Sequence, residues 1–487
     1  MKDIHIFFPP YNELLLMPEL GAAQLCGWLR AKGYDARQTD LNALLRGMET
    51  REERRVFSKP VFYADRTIWS PDVPSLRLDA VLKACRKPNA VYEKLYLSSV
   101  KPELKNCRCA GFSIVMSSQL PAALYFCARA RKDYPRIKTV LGGSWVSCSW
   151  NALKKWPELF TFADYMVGYA GELPLERLLA ALRAEKTIEH VPSLAFLKFG
   201  KVAQNRIAPE LPPEKIPAPV FDGIDLNLYH SKKLPYQTRT GCEWGRCKFC
   251  AHVYPGNPRA AKSMAKVLRE VMAIQKKYSP QLIQLADHAT PLPVLDAFSR
   301  GLIARRANIS WNTMTRANPG LDRELAQQLV ESGCTSLAIG LETVDDKALA
   351  KLNKGISFAT VKANIRACSQ AGLPVSLFII NYPGQSLREL EKTVDFTISC
   401  GARLSYIAFE RFALTRWITG RDWKYGSDAP GQDTELDSFN LPFHGEGVPE
   451  SSFRALRAKV AAHRHKTPGC PAGKGRLAAS CAPRNKC

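Results

Sequence analysis

The segment Arg239-Thr240-Gly241-Cys242-Glu243-Trp244-Gly245-Arg246-Cys247-Lys248-Phe249-Cys250 places three thiols within nine residues, at the spacing C-x4-C-x2-C. Thiolates bind iron in clusters, and a short loop can bring three of them onto one face of a cubane. Three protein ligands leave the fourth iron open to bind and polarise a ligand, whereas a fully ligated cluster only passes electrons. Gly241 and Gly245 allow the backbone to curl without Cβ clashes. The competing reading is a zinc site with His252 as a fourth ligand. The cysteines alone do not decide between the two metals.

Such a loop needs a scaffold. From 233 to 425 strand and helix signals alternate, with strands expected at 236–240, 282–285, 309–313, 336–341, 375–380 and 404–409. Met264, Val267, Leu268, Val271 and Ile274 mark an amphipathic helix, and Gly333 and Gly372 stop two others. Ser386-Leu387-Arg388-Glu389 reads as a capping box. Six strands separated by helices predict a partial (β/α)6 barrel, with its active site at the C-terminal strand ends. The cysteine loop follows the first strand and is placed there.

Residues 1–190 read as a second α/β unit, a doubly wound, Rossmann-like domain. Strands are expected at 4–8, near 39–42, and at 110–116, 139–141 and 165–167, with a helical insertion over 43–105. Ligands in such sheets sit at the carboxyl ends of the strands. Ser113, Gly142-Gly143-Ser144 and the stretch from Gly168 to Glu172 fall there. Residues 191–232 carry Pro209, Pro212, Pro213, Pro217 and Pro219, a linker composition. Residues 426–487 are expected as a partly disordered extension that ends in a basic stretch with Cys470, Cys481 and Cys487.

Composition narrows the setting. No segment offers the roughly 18 apolar residues of a membrane span, and the apolar run at 4–8 is too short for a signal sequence. A cytoplasmic location and no membrane partner are expected. Fifteen cysteines in a reducing compartment point to metal ligands where they cluster. Cys26, Cys127, Cys334 and Cys368 sit among apolar residues and read as small buried hydrophobes. The net charge of +24 can attract nucleic acid, acidic peptides or phosphorylated cofactors, and does not choose among them. Nucleic acid is disfavoured because the tail lacks a β-rich module with aromatics among basic residues.

The cysteine loop resembles the cluster motif of the radical S-adenosylmethionine (SAM) superfamily, usually C-x3-C-x2-C with an aromatic before the last cysteine. Phe249 holds the aromatic position, and the first gap is one residue longer here. The segment from Ser332 to Thr343 is similar to the fourth-strand region of the elongator-subunit/coproporphyrinogen-dehydrogenase-like branch. Leu352-Asn353-Lys354-Gly355 resembles the lysine–glycine pair that follows it. Residues from Trp311 to Arg316 look like the third strand, ending in its polar arginine. Asn381-Tyr382-Pro383-Gly384-Gln385-Ser386 resembles G-x-P-G-E-T, departing at Asn381, Gln385 and Ser386. The resemblance implies that Cys242, Cys247 and Cys250 hold a 4Fe-4S cluster and that Phe249, Arg316, Glu342 and Asn381 surround SAM. It implies reductive cleavage of SAM to methionine and a 5′-deoxyadenosyl radical, fed by an electron donor such as flavodoxin or ferredoxin.

The N-terminal motifs, Pro9-Pro10-Tyr11, Pro18-Glu19-Leu20-Gly21, Asp40-Leu41-Asn42, Gly142-Gly143-Ser144 and Asp164 to Glu172, resemble the cobalamin-binding domain preceding many radical SAM barrels. That resemblance implies cobalamin at Ser113, Gly142, Gly143, Ser144, Gly168 and Glu172. No D-x-H-x-x-G occurs, so this motif supplies no lower histidine ligand to cobalt. The implied function is methylation of a small-molecule, natural-product or peptide substrate. A radical SAM enzyme without cobalamin and a non-catalytic metal-binding or redox-sensing protein are the alternatives.

Overall fold

The computed structural model describes residues 1–10, 17–48, 78–86, 89–229, 231–250, 259–400, 404–411 and 448–464. His252, Tyr11, the cysteines of the C-terminal stretch and much of the 43–105 insertion lie outside them. The remainder of that insertion is helical, at Leu41–Met48, Leu78–Arg86, Ala90–Leu95 and on to Leu104.

The N-terminal sheet contains β1 (Lys2–Phe8), β2 (Ala36–Asp40), β3 (Cys107–Ser113), β4 (Lys138–Gly142), β5 (Tyr165–Val167), β6 (Leu194–Lys198) and β7 (Lys201–Gln204). Its order is β2-β1-β3-β4-β5-β6-β7. The first five strands are parallel. Helices cover both faces, as continuous apolar strands such as Ile4 to Phe8 require. Cys26 and Leu29 of Leu20–Ala31 pack with Leu178 and Leu179 of Glu172–Arg183 on one face. Leu124 and Phe126 of Leu120–Asp133 pack with Val81 and Val100 of the insertion on the other.

One expectation needs correction. The 191–232 segment is not a linker throughout, because β6 and β7 extend the sheet as an antiparallel hairpin. Its two-residue turn, Phe199-Gly200, has positive φ at both positions, which suits the right-handed twist of a hairpin. Within the 426–487 extension, expected to be partly disordered, Glu450–Arg464 forms a helix. Phe453, Leu456 and Val460 of that helix join the core of the second sheet.

The second sheet contains β8 (Lys233–Tyr236), β9 (Leu282–Leu285), β10 (Trp311–Thr315), β11 (Cys334–Glu342), β12 (Val375–Asn381) and β13 (Leu404–Arg411). The strands are parallel, and each pairs with its neighbour in sequence. The result is an open six-stranded arrangement, without a closed barrel among the described residues. The expected capping box forms: Glu389 N donates to Ser386 Oγ at 3.3 Å, and Ser386 N donates to Glu389 Oε2 at 2.8 Å. β8 ends earlier than expected, at Tyr236, because the Thr238 and Arg239 amides turn to a side chain.

The helix at 450–464 should therefore behave as part of the core. Phe453→Ala is expected to cost about 3–5 kcal/mol, seen as a lower urea midpoint for the second sheet. An unchanged midpoint would show that the helix does not belong to this core.

Candidate functional site

Asp287, just beyond β9, sets where the cysteine loop begins. Its buried carboxylate accepts from the Thr238 and Arg239 backbone N–H groups at 2.9 and 3.2 Å. It also accepts from the Thr238 and Thr290 hydroxyls at 2.5 and 3.1 Å. Burial pushes the Asp287 carboxyl up, and these donors oppose that shift.

The loop is fastened at its middle by Trp244. The indole Nε1 donates to Asn353 O at 2.7 Å, and Lys248 N donates to Leu352 O at 3.0 Å. Gly355 lies against the ring. A Cβ there would come within 2.2 Å of Trp244, and its φ of 67° also favours glycine. Arg316 and Arg246 hold their guanidinium groups 4.8 and 5.3 Å from the ring centre of Trp244.

Arg316, just beyond β10, also donates to Lys354 O at 2.5 Å and Gly355 O at 3.3 Å. Its Nη1 lies 3.9 Å from Cys247 Sγ. Lys354 pairs with Glu342 at 2.5 Å, both side chains being buried, and its ammonium lies 5.5 Å from the Phe249 ring centre. Glu342 has a φ of 62° at a register shift between β11 and β12. Such bulges re-aim a side chain at the end of a strand. Asn381 is buried separately and donates to Gln385 Oε1 at 2.9 Å.

Cys247 is buried, while Cys242 and Cys250 are half-buried. Burial pushes the Cys247 thiol up, while the Lys354 and Arg316 cations act in the opposite sense. Among the described residues, no three His, Cys, Asp or Glu side chains are grouped to hold one metal ion. The donor set suits an iron–sulfur cluster: three soft thiols on one loop, with two cations beside Cys247 to offset a cluster's negative charge. By contrast Cys26 and Cys368 are buried in apolar cores, where burial pushes both thiols up to about 12.

The N-terminal sheet presents a cavity of ≈ 350 Å³. Ser113, Gly142, Gly143, Ser144 and Glu172 are all on its wall. They cluster because the strand order reverses beside β1, so the loops after β1 and β3 part there. A Cβ on Gly143 would lie 2.4 Å from Ile114 O, so only glycine lets this loop close beneath the cavity. Gly168 lies between two wall residues, Val167 and Tyr169. It is absent from the wall, and its Cα instead faces the Trp150 ring, which a Cβ would meet at 2.4 Å. The same cavity is lined from the second sheet by Gln237, Thr240, Gly241 and His288. Burial lowers the His288 pKa.

The structure thus joins Arg316, Glu342 and Phe249 through Lys354, and sets Asn381 apart. Sequence reasoning omitted Asp287, Trp244, Lys354 and His288 from the site. Lys354 and Trp244 stood inside quoted motifs. Asp287 and His288 follow a strand end and could have been found by that position. Glu210, also on the cavity wall, gave no signal within its proline-rich surroundings.

Residues 236–397 match the family model described as the radical SAM superfamily. An uncharacterized methyltransferase of Pyrococcus horikoshii is 25% identical over 54% of this chain and 58% of its own length. The chain spans about half the length of the curated relatives it matches. Among solved structures, the radical SAM methyltransferase TsrM of Kitasatospora setae, with cobalamin and a 4Fe-4S cluster bound, has a TM-score of 0.66. It is 14% identical, and the match covers 99% of this chain and 94% of that one. The cobalamin-dependent radical SAM enzyme OxsB, with aqua-cobalamin and SAM bound, has a TM-score of 0.58. It is 15% identical, over 83% of this chain and 53% of that one.

The contact between Trp244 and Gly355 can be tested against a second glycine of similar backbone. Gly355→Ala is expected to cost about 2–3 kcal/mol by displacing the indole, and to lower the iron retained after anaerobic reconstitution. Gly372 has a φ of 72° but nothing within 4 Å of its would-be Cβ. Gly372→Ala should cost about 1 kcal/mol and keep its iron. Equal iron in both variants would show that the indole does not hold the loop.

Proposed function

The chain carries a radical SAM domain over residues 236–397, and on that premise we propose that it is a cobalamin-dependent radical SAM methyltransferase acting on a small-molecule or peptide substrate. The shared cavity carries this reading. Gly143 and Glu172 of one sheet and Gly241 and His288 of the other are walls of one space. A methyl carrier and a radical source must both reach one substrate carbon, and a common cavity meets that need. The fold likeness to TsrM and OxsB, which hold cobalamin, supports the same assignment.

Cys242, Cys247 and Cys250 would hold the 4Fe-4S cluster. Phe249, Arg316, Glu342 and Asn381 would surround SAM. Ser113, Gly142, Gly143, Ser144 and Glu172 would receive cobalamin. When bound, these groups supply a reductant for C–S cleavage to methionine and a 5′-deoxyadenosyl radical, together with a methyl carrier. The chain's own part is positional. Trp244 and Arg316 hold the loop in place, with a cation beside Cys247. Lys354 fixes the Glu342 carboxylate where the bulge aims it. Ile6, Val140 and Leu175 on the cavity wall help to exclude water from a reactive radical. A low-potential donor such as flavodoxin or ferredoxin would supply the electron.

Anaerobically reconstituted protein is expected to hold roughly four iron atoms per chain, to retain added hydroxocobalamin, and to release 5′-deoxyadenosine when reduced with SAM. Cys247→Ala should lose the nucleoside. A zinc centre without nucleoside release would overturn the reading. Nucleoside release without retained cobalt would reduce it to a radical SAM enzyme of another kind.

A further inference from the structure

Holding a methyl carrier does not by itself account for the acidic side of the cavity, even with Glu172 placed against that carrier. Glu19, Glu172 and Glu210 all reach its wall. Glu19 is accounted for, because its carboxylate caps Leu20–Ala31 by accepting from the Gly21 and Ala22 amides at 2.7 and 2.6 Å. Glu172 and Glu210 differ. Among the described residues neither is in an ion pair, and Glu210 Oε1 is buried without a hydrogen-bond partner. Two cations on the same wall are taken up elsewhere. Lys262 pairs with Glu270 at 3.0 Å, and Arg239 with Glu243 at 2.8 Å.

We propose that Glu172 and Glu210 form a filter that admits a corrinoid bearing primary amides at its rim and rejects one bearing carboxylates. The inference rests on cobalamin binding in this cavity and adds the basis of its selection. A primary amide brings N–H donors and one carbonyl acceptor. A protonated carboxyl beside an ionised one offers the complement, with oxygens to accept and one O–H to donate. An amide can therefore satisfy the buried Glu210 oxygen, which otherwise stays unpaired at a cost. A ligand carboxylate has no donor to give and sets a second negative charge beside the one the pair already carries.

Glu210 takes up a proton more readily than an ordinary carboxylate. Burial pushes its carboxyl up to about 7, and the adjacent Glu172 charge adds to the shift. Burial raises Glu172 as well. The two residues come from different parts of the chain: Glu172 opens a helix after β5, and Glu210 follows the β6–β7 hairpin. The hairpin returns the chain to the cavity, which gives a reason for its addition to the sheet edge.

The test is equilibrium dialysis of the full chain against cyanocobalamin and its b-, d- and e-monocarboxylic acids, followed by visible absorbance. At least one monoacid should bind wild type about tenfold or more weakly than the parent. In Glu210→Gln and in the Glu172→Gln/Glu210→Gln double variant, that ratio should fall to about threefold or less. Circular dichroism checks that each variant folds, and the single variant decides the matter if the double does not. Three monoacids that bind wild type as well as the parent would overturn the filter and leave the cobalamin assignment intact. A discrimination that persists in both variants would do the same. Failure of every corrinoid to bind folded wild type would instead remove the cobalamin assignment, and the filter with it.

Discussion

Phe221 and Asp222 tie two separately built sheets into one molecule. Phe221 is buried in the core of the second sheet, where Ala23 of the first helix joins it. Asp222 accepts from Arg30 of that helix at 2.6 Å and from the Tyr278 hydroxyl at 2.8 Å, and pairs with Lys277 at 2.7 Å. These partners are partly exposed, so the ion pairs contribute little by themselves. Phe221 adds a buried ring, and Val220 N donates to Ala23 O at 2.9 Å. Tyr229 adds a buried hydrogen bond to Asp40 at 2.5 Å. Among the described residues, this stretch touches both the first helix and the second sheet, next to which the two walls stand. A proline-rich segment suits the task because it loses little conformational entropy on being ordered.

Parallel strands explain why the walls are chemically rich. In each sheet all functional loops leave the same edge, so residues remote in sequence meet there. Asp287 follows β9, Arg316 follows β10, and Glu342 ends β11. None is a neighbour in sequence of the cysteine loop, yet Asp287 and Arg316 touch it and Glu342 reaches it through Lys354. The arrangement is costly in places. Glu342 has a left-handed backbone, and Asp287 is a carboxylate removed from water. Both costs are offset locally, by the Lys354 ion pair and by four donors respectively.

The architecture and cluster loop could be read in the sequence because they rest on local signals. Strand and helix periods were clear, and the Ser386–Glu389 cap was visible as a four-residue pattern. Cavity residues at strand ends could also be placed, since topology alone puts Gly142 and Ser113 there. What was missed depends on tertiary context. The β6–β7 hairpin turns on Phe199-Gly200, without the asparagine or aspartate that usually marks such a turn. The helix at 450–464 has its partner far away in sequence. Gly168 lies between Val167 and Tyr169 of the wall, but a Cβ there would meet the Trp150 ring. Asn381 ends a strand that runs one residue past the expected 375–380, and its side chain donates to Gln385.

The longer first gap of the cysteine loop has a structural account. A loop with Cys242 and Cys247 as ligands must also seat an indole, because Trp244 bonds to Asn353 and packs on Gly355. The added residue gives the backbone length to reach that anchor while both flanking thiols stay on the loop. Gly245, with a φ of 54°, turns the chain back immediately after the indole. The departure in spacing and the glycine at 355 are therefore two halves of one contact. Arg316 completes it by covering the indole and extending toward Cys247. The anchor couples the first half of the loop to the lysine–glycine pair, so a shift in either would move the thiols together.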